Sequence, residues 1–229
     1  MKGPGAANNA EAFDALLMRS FEEPNTGHYA SALATQREAL ALDIARGADR
    51  SAQITNTLIA DTLSEMGRFG SATANLRPII DEARKSGDAQ TPNVALEKRG
   101  IVQARVGETD AALASLRELA RIEESLGGGD SLASVWLRIA QLQADQHQLQ
   151  EARELPAKAQ AEMVRSAAEE LLAARNDYLQ AAITFAAGDP AVAVARLQDA
   201  ISRWRKEDRF LSLVDGLNFK ARMYRSLGW

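Results

Sequence analysis

Small and apolar residues recur along the chain at intervals of about 40 positions. Five alanines stand 40, 40, 40 and 41 residues apart: Ala32, Ala72, Ala112, Ala152 and Ala193. The positions four residues further on are Gln36, Leu76, Leu116, Pro156 and Leu197, and those seven further on are Ala39, Ile79, Leu119, Ala159 and Ala200. Residues at spacings of four and seven share one face of an α-helix. We therefore predict a helix in each repeat with this face buried.

A turn five residues before each alanine completes the repeat. The turns fall near residues 27, 67, 107, 147 and 188, and one further step leads to 228; glycine occupies all of them except His147. Seven residues before the turns stand Ser20, Ala60, Gly100, Ala140, Ala181 and Ala221. Helices that cross closely need such small residues. The pattern predicts two antiparallel helices per repeat, giving about five pairs and a final single helix.

Helix boundaries and breaks support an all-α chain. We expect four aspartates to act as N-caps, because a carboxylate accepts hydrogen bonds from free backbone N–H groups: Asp49, Asp88, Asp130 and Asp208. Gly127–Gly129 predicts a loop between helices rather than a phosphate cradle. Pro78 and Pro156 are expected to kink or interrupt their helices. The chain contains no alternating pattern of strand length.

These columns resemble the tetratricopeptide repeat. The best local matches are Trp136-Leu137-Arg138-Ile139-Ala140 and the segment from Gly67-Arg68-Phe69 through Ala72 to Leu76. The period of about 40 exceeds the usual 34, and the opening Trp is replaced by Asn56, Leu96 and Asp177 in other repeats. Similar long periods occur in kinesin light chains and in bacterial regulators. The resemblance implies a right-handed superhelical solenoid over residues 9–229, after a disordered segment 1–8.

Composition and motifs favour a protein without catalysis. The chain carries a net charge of -4 and has no cysteine, and it lacks phosphate-loop, zinc-protease and nucleophile-elbow motifs. His28 and His147 fall in turns of different repeats, so we expect no metal and no cofactor. No signal peptide or membrane span is apparent, which indicates a cytoplasmic protein. The basic and aromatic segment 196–229 could bind nucleic acid or an acidic peptide. The net negative charge of the whole chain instead favours a simpler interpretation, in which the charged side chains form a solvated face and the aromatic residues belong to the core. Nucleic acid is therefore not an expected partner.

In this architecture the first helices of the pairs line a concave groove. Residues about ten, six, three and two positions before each turn should face it. The predicted groove residues are Thr57, Asp61, Glu65, Glu97, Ile101, Arg105, Leu137, Gln141, Tyr178, Phe185, Arg222 and Arg225. The groove would be acidic early, apolar in the middle and basic late. The alternative is that many of these side chains simply contact the neighbouring repeat.

The sequence therefore predicts a protein-interaction module that binds a peptide or protein segment in the groove. A rival hypothesis is a domain that senses a peptide or small molecule within a larger signalling or transcription-control protein. A third is self-assembly through the C-terminal helix. Leu17 and Phe21 replace the polar residues that grip chaperone carboxylates in this family, which argues against that partner class. Because the sequence stops at a sixth turn, we expect either a natural cap or, preferably, excision from a longer chain.

Overall fold

The computed structural model describes residues 16, 18–19, 27–86, 92–166, 169–207 and 209–228, without the side chains of 92, 169–171 and 211. Within them the chain forms ten continuous helices: α1 (Tyr29–Ala45), α2 (Asp49–Glu65), α3 (Phe69–Ser86), α4 (Pro92–Arg105), α5 (Thr109–Ser125), α6 (Asp130–Asp145), α7 (Leu149–Ser166), α8 (Glu169–Ala186), α9 (Pro190–Lys206) and α10 (Phe210–Ser226). The predicted N-terminal segment 1–8 lies outside the described residues.

The chain divides into two compact units, residues 1–115 and 116–229, with the boundary inside α5. In the first unit α1 packs on α2, α2 on α3 and α3 on α4. In the second unit α6 packs on α7, α7 on α8, α8 on α9 and α9 on α10. The first helices of successive pairs also touch, α2 with α4 and α6 with α8. This is a helical-repeat solenoid, and the all-α prediction is confirmed.

The predicted buried face of the second helices is confirmed. All five repeat alanines are fully buried, and so are Leu76, Leu197, Ala39, Ala159 and Ala200. The small residues of the first helices Ala60, Ala140 and Ala181 are buried as well, whereas Ala221 of α10 is exposed. Apolar groups removed from water at each crossing provide the main drive for packing one pair on the next.

The turns have one recurring backbone geometry. The residue at each predicted turn position has a positive φ, from 59° at His147 to 89° at Gly188. In the second pair, the N–H of Gly67 donates to the carbonyl of Ser64 at 3.0 Å and that of Arg68 to Leu63 at 2.8 Å. This is the Schellman motif that ends a helix on a left-handed residue. Glycine adopts that conformation without steric cost.

Two predictions about helix boundaries are wrong. Asp49 and Asp130 are the first residues of α2 and α6, and the N-cap positions are Ala48 and Gly129, without a side-chain hydrogen bond. A carboxylate does cap α9, where Asp189 accepts from the N–H of Val192 at 3.4 Å. Asp88 and Asp208 lie outside the described residues.

Neither proline interrupts its helix. The helix α3 continues through Pro78, and α7 continues through Pro156. Each proline removes one backbone hydrogen bond, but the buried seam on both sides of it holds the helix together. Among the helices of the described residues, none is long and apolar enough to cross a membrane.

Candidate functional site

In the first unit, the predicted groove residues lie on α2 and α4, and their charges pair with each other. The ammonium nitrogen of Lys98 lies 2.7 Å from Asp61 Oδ2, and Arg105 Nη1 lies 2.7 Å from Glu65 Oε1. Arg105 also donates to Ser64 Oγ at 3.1 Å. The acidic start that the sequence predicts is therefore largely neutralised within the protein, in part by Lys98, which the spacing rule does not select.

The remaining predicted residues of this unit are half-buried. Thr57 donates its hydroxyl to the carbonyl of Ile54 at 2.7 Å, so this donor is already used. Glu97 and Ile101 both lie on α4 and are partly accessible. The first unit thus offers an internally paired polar surface rather than a row of free charges.

The two predicted residues on α6 differ in their exposure. Leu137 is fully buried and packs with Ala133, Met163 and Leu179 in the core of the second unit. It belongs to the core and offers no contact surface, because α6 is covered by both α7 and α8. Gln141 is half-buried and donates to Asp145 Oδ1 at 2.8 Å.

Tyr178 and Phe185 of α8 join an aromatic cluster. The ring centroid of Tyr178 lies 5.5 Å from that of Trp204 and 5.5 Å from that of Phe219, and Phe185 meets Phe219 edge-on at 6.1 Å. Tyr178 and Phe185 remain half-buried. The cluster therefore forms a fixed apolar wall with one accessible side, and aromatic pairs of this geometry add to the packing energy.

Beside this wall the structure contains an open pocket of about 460 Å³. Its lining brings together four residues that the repeat spacing selects, Tyr178, Asn218, Arg222 and Arg225, and adds Asp215 and Ala221. The guanidinium carbon of Arg222 lies 5.5 Å from the centre of the Phe219 ring. Asp215 could have been found from the sequence, because it stands three residues before Asn218 on the same helical face.

The pocket is open to solvent, and it combines a half-buried tyrosine with charges of both signs. Burial raises the pKa of the Tyr178 hydroxyl; the Arg222 guanidinium opposes this, and the Asp215 and Asp145 carboxylates reinforce it. Neither Arg222 nor Arg225 forms an ion pair with the residues that the structure describes. The tyrosine thus stays neutral as a hydrogen-bonding group while two arginines remain available to an anion.

Two aromatic residues of the C-terminal segment, Trp204 and Phe219, pack in or against the core. Trp204 is 8% exposed, and a Cβ built on Gly216 would lie 3.0 Å from its ring. Arg203 lies 3.4 Å from Asp177, and Lys220 donates to Gln198. This agrees with a solvated face over core aromatic residues, although Phe210 is 72% exposed.

Candidate metal and phosphate sites do not assemble in the described part of the chain. His28 and His147 are exposed in separate turns, and no group of three or more His, Asp or Glu residues among the described positions could hold a metal ion. Gly127–Gly129 is a loop, as predicted. Its Gly129 N–H donates to Glu162 Oε2 at 2.8 Å, and Arg165 donates to the carbonyl of Gly127.

Comparisons with known proteins identify the fold. No protein-family model matches the sequence, and no similar sequence is found among curated proteins. Solved structures are similar in fold. The apo form of RapI has a TM-score of 0.77 at 14% identity, covering 95% of this chain and 77% of that one. TPR-like repeats described as a kinesin light chain from Podospora anserina have a TM-score of 0.70 at 15% identity. This match covers 86% of this chain and 97% of that one.

A third similar structure contains a ligand. The Rap conjugation gene regulator of the plasmid pLS20, in complex with the Phr* peptide, has a TM-score of 0.73 at 15% identity. It covers 94% of this chain and 60% of that one. The chain has a tetratricopeptide-like helical-repeat fold, and the resemblance inferred from its columns is confirmed.

Proposed function

We propose that this chain is a non-catalytic interaction module, a single repeat domain over residues 9–229, that binds a peptide or protein segment in the cytoplasm. The observation that carries the proposal is the pocket of the second unit. There, Tyr178, whose ring packs against Phe219, stands beside Arg222 and Arg225, which form no ion pair with the described residues. The Rap conjugation gene regulator, a helical-repeat protein of similar fold, is in complex with a peptide, which supports this proposal.

The chemistry of the pocket points to a carboxylate next to an apolar side chain. Arginine binds carboxylates through a planar pair of donors. The half-buried Tyr178 and the Asn218 amide supply hydrogen bonds beside it, and the accessible side of the aromatic wall supplies apolar contact. Aromatic residues and arginine are the residue types that contribute most to binding in protein interfaces. The ligand would therefore be an extended or helical segment bearing Asp, Glu or a free C-terminus.

A displayed library of random peptides tests this proposal. We expect the wild type to enrich sequences with an acidic group beside an apolar residue. The double variant Arg222→Glu/Arg225→Glu should lose the enriched synthetic peptides by more than about tenfold, as charge reversal opposes the carboxylate. The matched control Arg205→Glu changes an exposed arginine of α9 outside the pocket and should retain binding. Enriched peptides that bind the double variant as tightly as they bind the Arg205→Glu control would refute the proposed site.

A second candidate function is self-association through α10. Phe210 is 72% exposed, Val214 37% and Leu217 43%, and these residues follow one another at spacings of four and three. This spacing continues to Ala221 and Tyr224 and gives the apolar seam typical of paired helices. Sedimentation equilibrium should then show a mass that rises with concentration and that Leu217→Glu returns to the monomer value. A wild-type monomer at high concentration would exclude this function.

The sensing hypothesis differs in its consequence rather than in its site. If the module regulates a larger signalling protein, peptide binding must favour one of two arrangements of the repeats. Small-angle scattering of the wild type with and without an enriched peptide distinguishes the two possibilities. A change in the scattering profile supports a sensor, and an unchanged profile supports a docking module.

A further inference from the structure

The fourth helix pair contains a buried polar atom without a hydrogen-bond partner among the described residues, whereas the equivalent atom of the third pair has a partner. Gln103 and Gln143 stand 40 residues apart, at the same position of the repeat. The oxygen of Gln103 accepts a hydrogen bond from the Ser115 hydroxyl at 2.8 Å. The position equivalent to Ser115 in the next repeat is Leu155, which has no donor. Gln143 is 4% exposed, and its Oε1 has no hydrogen-bond partner among the described residues.

Gln143 lines a pocket of about 370 Å³ in the second unit. The pocket lies between α5 and α7, over α6, and its apolar lining consists of Ala120, Trp136, Ile139 and Leu155. Trp136 is half-buried and packs on the core cluster beneath it, so its indole is held in place. This pocket shares no residue with the one that contains Tyr178 and Arg222.

The rim of this pocket carries charges of both signs, and α5 contributes the acidic Glu124 as well as two arginines. Arg117 and Arg121 extend from α5, and Glu151 extends from α7. All three are exposed, and none forms an ion pair within the described part of the chain. By contrast, Glu154 and Lys158 of the same rim pair with each other at 3.9 Å. The free charges are therefore positioned to receive a ligand that carries both signs.

We propose that this pocket binds a small zwitterion of the free amino-acid class whose side chain carries an N–H or O–H donor. The carboxylate faces Arg117 and Arg121, and the ammonium faces Glu151. The side chain packs on Trp136 and Leu155 and donates to Gln143 Oε1. A buried acceptor without a partner costs free energy in the empty protein. A ligand that supplies the missing hydrogen bond recovers that cost, which gives the pocket selectivity for donors.

The repeat itself provides the test variant. Leu155→Ser copies the Gln103–Ser115 arrangement into the fourth pair and gives Gln143 an internal donor. Gln143→Leu removes the acceptor. Without ligand, Gln143→Leu should melt at or above the wild-type temperature, since an unpaired buried amide is lost. The control Val164→Ser places a hydroxyl on an exposed position of the same helix.

Calorimetric titration with L-tryptophan, L-tyrosine and L-glutamine measures the site directly. We expect at least one of them to bind the wild type and Val164→Ser equally. Affinity should fall about tenfold or more in Leu155→Ser and in Gln143→Leu. For a tryptophan ligand, indole-3-propionate and tryptamine each lack one charge and should bind more weakly. No binding by all three amino acids, or equal binding to Leu155→Ser, would overturn the proposal, and a lower melting temperature for Gln143→Leu would show a structural role for that amide.

Discussion

The ammonium nitrogen of Lys98 lies 2.7 Å from Asp61 Oδ2, and this ion pair joins the first helices of two successive repeats. Glu65 and Arg105 repeat the arrangement at 2.7 Å near the C-terminal ends of the same helices. The side chains of Glu65 and Arg105 both remain close to half exposed. Water and salt therefore weaken the attraction, and its contribution should be small.

Exchanging the charges of Glu65 and Arg105 measures the contribution of this ion pair. Arg105→Glu should lower the free energy of unfolding by about 0.2–1 kcal/mol, because two carboxylates replace an ion pair. The exchange variant Glu65→Arg/Arg105→Glu should recover most of the loss. Urea unfolding of the wild type, both single variants and the double variant gives the coupling energy. Additive effects of the two substitutions would mean that the pair does not hold α2 to α4.

His147 occupies a backbone conformation that suits glycine. Its φ is 59°, and it is the non-glycine residue with positive φ in the described chain. Left-handed backbone costs a residue with a Cβ roughly 1–2 kcal/mol. His147→Gly should therefore stabilise the protein, by about 0.5–1 kcal/mol after the added freedom of the unfolded chain is subtracted. Thermal or urea unfolding measures the change.

The reverse substitution provides its control. Gly107→Ala places a Cβ at a turn with φ of 79° where no other atom lies within 4 Å. It should destabilise the protein by about 1 kcal/mol through the backbone alone. If both substitutions leave the midpoint unchanged, the turn conformation is not what limits stability at these positions.

Ala140 and Ala221 occupy the same repeat position but differ in burial. Ala140 is 0% exposed where α6 crosses its neighbours, whereas Ala221 of α10 is exposed. Ala140→Leu should overpack the crossing and cost on the order of 1–3 kcal/mol. Ala221→Leu should change stability by less than about 0.5 kcal/mol, as exposed substitutions do. Equal effects in calorimetric unfolding would contradict the assigned register.

The Gly127–Gly129 loop makes part of the stability depend on pH. The hydrogen bond from Arg165, the Gly129 N–H and the Arg165 charge lower the pKa of Glu162 below its ordinary 4.5, and desolvation partly opposes them. A lowered folded-state pKa favours the native carboxylate. Its contribution is therefore fully present above pH 4.5 and is lost as the pH falls through the folded-state pKa.

Glu162→Gln should accordingly lower the melting temperature at neutral pH and approach the wild type in acid. Melting curves of both proteins from neutral pH to about pH 3 measure this convergence, which is complete only below the folded-state pKa. Glu154→Gln, at an exposed position of the same helix, controls for the general loss of a surface charge. A difference in melting temperature between Glu162→Gln and the wild type that stays constant across this pH range would contradict the role of the carboxylate.

The repeat columns predict the fold because burial of one helical face requires small and apolar residues at fixed spacing. Ala72, Leu76 and Ile79 illustrate this, since all three are buried as their spacing predicts. The N-caps predicted at Asp49 and Asp130 fall one residue too late, because the backbone turn, rather than a carboxylate, fixes the start of each helix. Before the second helix pair, that turn is closed by the N–H of Ala48, which donates to the backbone carbonyl of Asp43 at 2.9 Å.

The site follows less directly from the sequence than the fold does. The rule that selects Arg222 and Arg225 also selects Leu137, which the packing of α7 and α8 buries. The pairing of Asp61 with Lys98 depends on distances between residues 37 positions apart, which helical periodicity does not encode. Likewise, the sequence does not show that Gln143 Oε1 lacks a hydrogen-bond partner among the described residues. That difference appears only when the hydrogen bonds of the third and fourth repeats are compared.

Packing of each helix mainly on those next in sequence has a kinetic consequence. Contacts between near neighbours close short loops, so the entropy lost in reaching the transition state is small and folding should be fast. Because stability is then a sum over adjacent pairs, folding can begin at any well-packed pair and spread from it. Such a molecule can fray from one end while its remaining repeats stay folded.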